Sequence, residues 1–382
     1  MARNRVIYQS EGLFVSEDAS LNLKADHEQL GRVQSANYSF TINRQDVNQY
    51  GDLARIDSLV LDPPTVNLDF SYYLTDGFNE RALGFFVQNS GSNNNRKITN
   101  SIFSSGNFAS GHLTAGSGVN FFILTSPNGE DLNKAGAGEA PNASDSVIGV
   151  GNCYISDYTV DMAVGSLPTV SVTVEGSNMN SVAGATTTGT PAVDQEAGTI
   201  IARNIQLPNP TENGGIEGFA GGALTALRPG DITLSLANLE TDSLVKIDGA
   251  DGAHVQSASI SVPLSRSPID RLGSRFPFAR EVDFPVSCTL NVSAVVSDTQ
   301  SKNLASILDL GESEASITIK DSNSNEVVRY NLLGLKVDSQ SFSSSIGSNK
   351  TVDLTFSTQI GGPNDTSNGV FMSGCGDAAI FT

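Results

Sequence analysis

Apolar and polar residues alternate with a period of two along much of the chain, the pattern of half-buried β-strands. Tyr38, Phe40 and Ile42 alternate with Ser39 and Thr41, and Ile260, Val262 and Leu264 repeat the pattern. Val66, Leu68, Phe70 and Tyr72 form a second alternating run, matched by Cys288, Leu290, Val292 and Ala294. Residues 121–124, 154–162, 170–174, 200–207, 231–236 and 317–319 also read as strands. Helical spacing is scarcer. Residues 44–50 are expected as a short helix closed by Gly51, and 267–272 as its mate, capped by Ser265 and closed by Gly273. Residues 79–87 and 301–310 are further helix candidates, the latter with Leu304, Ile307 and Leu308 on one face. Helices this short are marginal alone and need a sheet to dock on.

The pattern also repeats. Val33-Gln-Ser-Ala-Asn-Tyr-Ser-Phe-Thr-Ile-Asn-Arg44 aligns with Val255-Gln-Ser-Ala-Ser-Ile-Ser-Val-Pro-Leu-Ser-Arg266, and the same spacing carries Gly51 to Gly273, Pro63 to Pro285 and Asp76 to Asp298. Further on, Val164-Gly-Ser-Leu-Pro-Thr-Val-Ser-Val-Thr-Val174 resembles Ile346-Gly-Ser-Asn-Lys-Thr-Val-Asp-Leu-Thr-Phe356 at a shorter spacing. The first member of the pair therefore holds about forty extra residues, as sequence repeats of this kind allow. Residues 89–118 and 126–146, rich in Asn, Ser and Gly, are expected to hold them as long exposed loops. The reading is two tandem β-domains, 1–181 and 228–382, each with one or two short helices. A Gly/Thr-rich connection at 182–227 joins them, with a Gly-rich loop at 212–222. Residues 228–236 are expected to open the second domain as 12–23 open the first.

Composition narrows the function. The chain has 382 residues with 41 Asp and Glu against 22 Lys and Arg, a net charge of −19, which argues against gripping nucleic acid by its phosphates. No apolar run reaches the roughly 18 residues of a membrane span, and the first residues lack the apolar stretch of a secretory signal. Cys153, Cys288 and Cys375 fit neither a disulfide framework nor a zinc spacing, which points to a reducing cytosol as the place of synthesis.

Catalytic patterns are sparse. His27, His112 and His254 form no metal motif, and His27 reads as a solvated loop residue. Asp248-Gly-Ala-Asp-Gly252 lacks the remaining ligands of a calcium loop and reads as a β-turn. Gly149-Val-Gly151 lacks the third glycine of a phosphate loop, and Gly116-Ser-Gly118 is no nucleophile elbow. Cys288 sits in an apolar slot and is expected to be buried. Arg266, Arg271, Arg275 and Arg280 lie among Asp270, Glu281 and Asp283, which favours local or intersubunit ion pairs over phosphate binding. No enzymatic activity and no cofactor are expected.

The stretch Tyr154-Ile-Ser-Asp-Tyr-Thr-Val-Asp-Met-Ala-Val-Gly-Ser-Leu-Pro-Thr-Val-Ser-Val-Thr-Val-Glu175 resembles the tail tube proteins of long-tailed bacteriophages. So does Gln256-Ser-Ala-Ser-Ile-Ser-Val-Pro-Leu-Ser-Arg266, continuing through Arg271-Leu-Gly-Ser-Arg275 to Asp283-Phe-Pro285. The resemblance rests on a style of sequence and covers both repeats. It implies a mainly β fold of two tandem tail-tube-like β-sandwich or barrel domains whose sheets join edge to edge into rings, which stack into a hollow tube. Six domains per ring are usual in the family, so a duplicated chain implies a trimer with pseudo-sixfold symmetry, with a hexamer of whole chains as the alternative. The implied partners are the chain itself, the tape-measure protein, the tail terminator and baseplate proteins, and a sheath where one exists. DNA would pass without specific binding, and the protein would be assembled in the host cytoplasm and reside in the virion tail. An acidic, hydroxyl-rich lumen would keep phosphates from sticking, with Asp157, Asp161, Glu175, Asp338 and Asp353 as candidate lumen-facing acids. Simple solubilising surface acids are the alternative for these five. Rival functions are another β-rich virion part (baseplate, neck or head decoration) and a glycan-binding or degrading β-protein, the latter disfavoured by the absence of Trp.

Overall fold

In the computed structural model, the described residues are 10–16, 27–89, 106–114, 118–126, 132, 144–184, 187–207, 210, 227–235, 243–245, 253–299, 301, 303–308, 311–320 and 326–374. Cys375, the Asp248–Gly252 segment, the Gly-rich loop at 212–222 and most of the 89–118 and 126–146 insertions lie outside them.

The molecule is mainly β. Its spine is an antiparallel sheet of eight strands: β1 (Val33–Thr41), β2 (Thr65–Tyr73), β3 (Ser146–Ala163), β4 (Thr169–Gly176), β5 (His254–Pro263), β6 (Val286–Val295), β7 (Glu326–Ser343) and β8 (Thr351–Ile360). They run in the order β1-β2-β4-β3-β5-β6-β8-β7. The first four and last four strands thus follow the same internal order, and β3 meets β5 at the middle.

The repeated strands share local irregularities. The β1–β2 register shifts between Val33 and Ser35, and the β5–β6 register shifts between Val255 and Ser257, their counterparts in the repeat. The β3–β4 ladder skips Ser156, and the β7–β8 ladder skips Asp338, which holds the matching place in the second half. A bulge of this kind bends its strand. It lets each of the two long strands, β3 and β7, serve two sheets: the C-terminal part joins the spine and the N-terminal part joins a second layer. In the first half that layer pairs β3 with Val119–Thr125 and Asn178–Ala183, and Val119–Thr125 with Glu11–Ser16. In the second half it pairs β7 with Ser313–Lys320 and Gly369–Gly374, and Ser313–Lys320 with Ile232–Ser235. Ile232–Ser235 therefore occupies the place in its layer that Glu11–Ser16 occupies in the other.

Alternation decides which face is buried. Along β2, Val66, Leu68, Phe70 and Tyr72 point into the core, and along β6 Cys288, Leu290, Val292 and Ala294 do the same. One apolar cluster runs through both halves, from Leu13 to Met372. The halves also interlock: α1 (Phe78–Ala82) leads into Val87–Asn89, which adds a parallel strand to Gly369–Gly374.

Three expectations are corrected. Residues 44–50 and 267–272 are not helices; they belong to hairpins, Arg44–Val47 with Asp57–Val60 and Arg266–Ile269 with Ala279–Val282. Gly51 (φ 96°) and Gly273 (φ 85°) have the left-handed backbone that a turn between such strands needs. The 89–118 insertion is not all exposed loop: α2 (Ser110–Thr114) lies within it, and Phe108 and Ala109 are buried because Phe108 stacks on Phe85 at 4.3 Å. The connection between the halves is partly folded. Thr188–Gly189 pairs with Asn204–Ile205, Val193–Asp194 with Thr199–Ile200, and Ala192, Val193 and Leu207 are buried. The helix expected at 301–310 is present as α3 (Leu304–Leu308).

Candidate assembly edges and acidic face

The face of the spine opposite the core is polar. Ser71, Thr159, Ser171 and Ser261 lie across it in one row, and Asn37, Asp69, Thr173 and Asp157 in the next. All five acids singled out from the sequence belong to this face. Asp161 sits opposite Thr169 and Ser259, Asp353 opposite Ser293 and Ser341, and Glu175 opposite Asn67 and Tyr154. Asp157 accepts a hydrogen bond from Thr159 Oγ1 at 3.0 Å. Asp338, the bulge residue, accepts one from Ser357 Oγ at 2.9 Å. Asp161 and Asp353, together with Ser257, Ser259, Asn291, Ser293 and Thr355, line a depression of about 390 Å³. Five successive strands contribute to that hollow, so the polar face is concave there.

Glu175 differs from the other four. Arg280, itself 6% exposed, pairs with it at 2.7 Å across the line between the halves. Its charge is thereby neutralised, and it acts as a clamp more than as part of an open acidic surface. The sequence reading missed Asp69, which stands out on β2 only once the apolar run around it is known to be buried. Over the spine stretches 33–41, 65–73, 154–163, 169–176, 254–263, 286–295, 336–343 and 351–360, the acids are Asp69, Asp157, Asp161, Glu175, Asp338 and Asp353. Against those six, Lys and Arg are represented by Lys336 alone.

The second feature is the pair of outer edges. β1 pairs with β2 and the C-terminal half of β7 with β8; no described strand pairs with their other sides, although the Leu244 N–H donates to Gln340 Oε1 of β7 at 3.1 Å. Both edges carry aromatic side chains in the open: Phe40 is 60% exposed and Phe342 42%. Next to β1, the hairpin Arg44–Val47/Asp57–Val60 shows Tyr50, Leu53, Ile56, Leu59 and Leu61 to solvent. Unpaired strands with apolar side chains template pairing with another chain, and contiguous exposed apolar surface marks an interaction site.

The equivalent hairpin of the second half does have partners. Arg266 stacks 4.6 Å over the Tyr154 ring and donates to the His112 carbonyl at 2.5 Å. Arg271 donates to the Glu196 carbonyl, and Leu264 N–H to the Ser156 carbonyl at 2.8 Å. Arg266 and Arg280 are therefore engaged with the first half and Arg271 with the connection, rather than gathered around a phosphate-sized ligand.

Buried polar chemistry lies behind the sheet. Glu80 accepts hydrogen bonds from Tyr72 at 2.9 Å and Tyr158 at 3.1 Å, and Tyr158 and Tyr330 hydroxyls lie 3.0 Å apart. Burial raises the Glu80 carboxyl to a pKa of about 7. The three phenols come from β2, β3 and β7, so one carboxyl ties together strands of both halves. His112 is buried against Phe85 at 4.5 Å, and burial lowers its pKa to about 3, which keeps it neutral. Cys288 is buried, its thiol pushed up to about 12, and Cys153 is buried and pushed up too. Such thiols are poor nucleophiles. Gly149 and Gly151, flagged only as a failed phosphate motif, are close-packing positions: a Cβ on Gly151 would come within 2.3 Å of the Pro191 carbonyl oxygen. Among the described residues no group of three His, Cys, Asp or Glu side chains converges on a metal-sized site, and no helix is long and apolar enough to cross a membrane.

No protein-family model matches the chain, and no curated protein is significantly similar to it.

Proposed function

We propose that the chain is a structural subunit of a bacteriophage tail tube, built as two copies of one β-domain at 1–181 and 228–382 with a connection at 182–227. The observation that supports this reading is the repeated strand order, which among the described residues leaves the outer sides of β1 and of the C-terminal half of β7 without a strand partner, at opposite ends of the spine. A contact that joins a leading edge to a different, trailing edge is heterologous, and it closes only by going round a ring. Within each chain that contact is already made once, where β3 meets β5.

Closure of three chains gives a ring of six β-domains; in the alternative, six whole chains form the ring with the second domain decorating its outside. Rings stack into a conduit for the tape-measure protein and for ejected DNA. Tail terminator, baseplate and, where present, sheath proteins are its other partners, and the assembled protein belongs to the virion tail. The concave polar face lines the lumen, where Asp69, Asp157, Asp161, Asp338 and Asp353 repel phosphate and hydroxyl side chains offer no fixed charge. The role is passive and needs neither catalysis nor a cofactor.

Native mass spectrometry of the purified chain tests this reading. The expected result is assemblies in multiples of three chains; a purely monomeric protein at high concentration contradicts it and favours a discrete virion component.

A further inference from the structure

We propose that one chain joins the next through β1 and the C-terminal half of β7, in a register that the seam inside the chain already dictates. The inference rests on the ring reading above. In the internal seam Ser257 faces Ala163, Ile260 faces Val160 and Pro263 faces Asp157. β1 stands to β2 as β5 stands to β6, with Val33 in the place of Val255 and the bulge preserved. β7 stands to β8 as β3 stands to β4, with Asp338 in the place of Ser156 and its bulge preserved. Applying both correspondences transposes the seam. Ser35 then faces Ser345, Asn37 faces Ser343, Tyr38 faces Phe342, Phe40 faces Gln340 and Thr41 faces Ser339 of the neighbouring chain.

The transposed pairs match in chemistry except for Phe40, which lies opposite Gln340, whose Oε1 accepts from the Leu244 N–H at 3.1 Å. Tyr38 and Phe342 fall on the apolar side, where their internal counterparts Ile260 and Val160 are fully buried. Ser35, Asn37 and Ser39 meet Ser345, Ser343 and Ser341 on the polar side, pairs that keep that surface continuous and bring no basic group of their own. A slip by one residue would put Phe342 among the serines and expose it.

The same operation lays the hairpin Arg44–Val47/Asp57–Val60 over the neighbour's β7 and β8 around Lys336 and Ser357, as Arg266–Ile269/Ala279–Val282 lies over β3 and β4 at Tyr154 and Glu175. Here the contacts change in kind. The internal hairpin makes contacts through Arg271 and Arg280 and carries Glu281 beside Arg266; at the positions of Arg271, Arg280 and Glu281 the outer one has Gln49, Ser58 and Leu59. The seam between chains is therefore more apolar and less ionic than the seam within. One like-charge approach results, Arg44 near Lys336, and Glu312, 4.0 Å from Lys336 Nζ, offsets it.

Paired cysteine variants test the register in the full chain. Asn37→Cys with Ser343→Cys, mildly oxidised after assembly, is expected to link chains into covalent closed oligomers. Asn37→Cys with Ser341→Cys, on the same face but displaced to the next position along it, is expected to link about tenfold less, because a diagonal pair lies too far apart for disulfide geometry. The single variants serve as background, and unchanged far-UV circular dichroism establishes folding. Rings in which the Ser341 pair links in preference to the Ser343 pair overturn the register while leaving ring assembly intact. Failure of the unaltered chain to form rings overturns the assembly reading itself and takes the register with it.

Discussion

A carboxyl group buried among three phenols makes the stability of this molecule sensitive to pH. Glu80 has a pKa of about 7 when folded, raised by burial from an ordinary 4.5. The folded chain therefore holds a proton that the unfolded chain releases above pH 4.5. The contribution of this group to stability is greatest in acid, declines as pH rises from about 4.5 to about 7, and levels off beyond, a total loss of about 3 kcal/mol. Glu80→Gln keeps an acceptor for Tyr72 and Tyr158 and cannot ionise. Its stability relative to the parent is expected to rise between pH 5 and pH 8, read from urea midpoints at the two values; an unchanged difference would remove Glu80 from this role. Gly151 offers a second test at this scale. Gly151→Ala drives a Cβ into the Pro191 backbone, not into a side chain that could swing away. A loss of about 1–3 kcal/mol in unfolding free energy is expected, and an unshifted melting curve would refute the close packing. Neither position was legible in the sequence. Glu80 and Tyr158 lie 78 residues apart, and no local pattern encodes such a contact.

At the scale of elements, alternation was a good guide because one face of each spine strand is buried and the other is wet. The alternating residues Tyr38 and Phe40 fall in β1 and Ile260 and Val262 in β5, although both strands begin earlier and stop short of Ile42 and Leu264, and the apolar sets of β2 and β6 correspond to the observed strands. The two hairpins were misread because Gly51 and Gly273 suit helix ends as well as turns, and because Val47 and Tyr50 in the first are three apart. Those side chains are exposed, so no buried face existed for helical periodicity to report. The full length of β3 and β7 was hidden as well. Each strand changes sheets at a bulge, and beyond it the side chains of β3 are buried on both faces, which erases the alternation. The outer edges carry this scale's prediction. Phe40→Asp puts a charge on an exposed edge position, so folding stability should change by less than about 0.5 kcal/mol. Assembly, followed by sedimentation velocity, should be abolished, because the charge must be desolvated against the next chain. Normal assembly of this variant would show that β1 is not a contact edge.

For the whole molecule, the net charge of −19 acquires a location. Over the spine stretches that carry the polar face, six carboxylates stand against a single lysine; Asp69, Asp161, Asp338 and Asp353 are exposed, and Asp161 and Asp353 line its hollow. The sequence showed that acids recur on alternating strands; it could not show that strands from both halves bring them onto one continuous surface. If that surface lines a channel, reversing its charge should change what the channel holds. Asp161→Lys combined with Asp353→Lys is expected to leave assembly intact and to make the assemblies retain DNA at low salt, releasing it as salt rises. Retention by the unaltered protein, or none by the variant, would separate the acids from the lumen.

The central claim is that the strand order repeated inside the chain continues from chain to chain until it closes. Negative-stain electron microscopy of the purified protein, with rotational averaging of end-on views, tests it most directly. The account predicts stacked rings around an open centre, with six similar lobes per ring from three chains. Discrete single chains, or open irregular aggregates with no central hole, would contradict it.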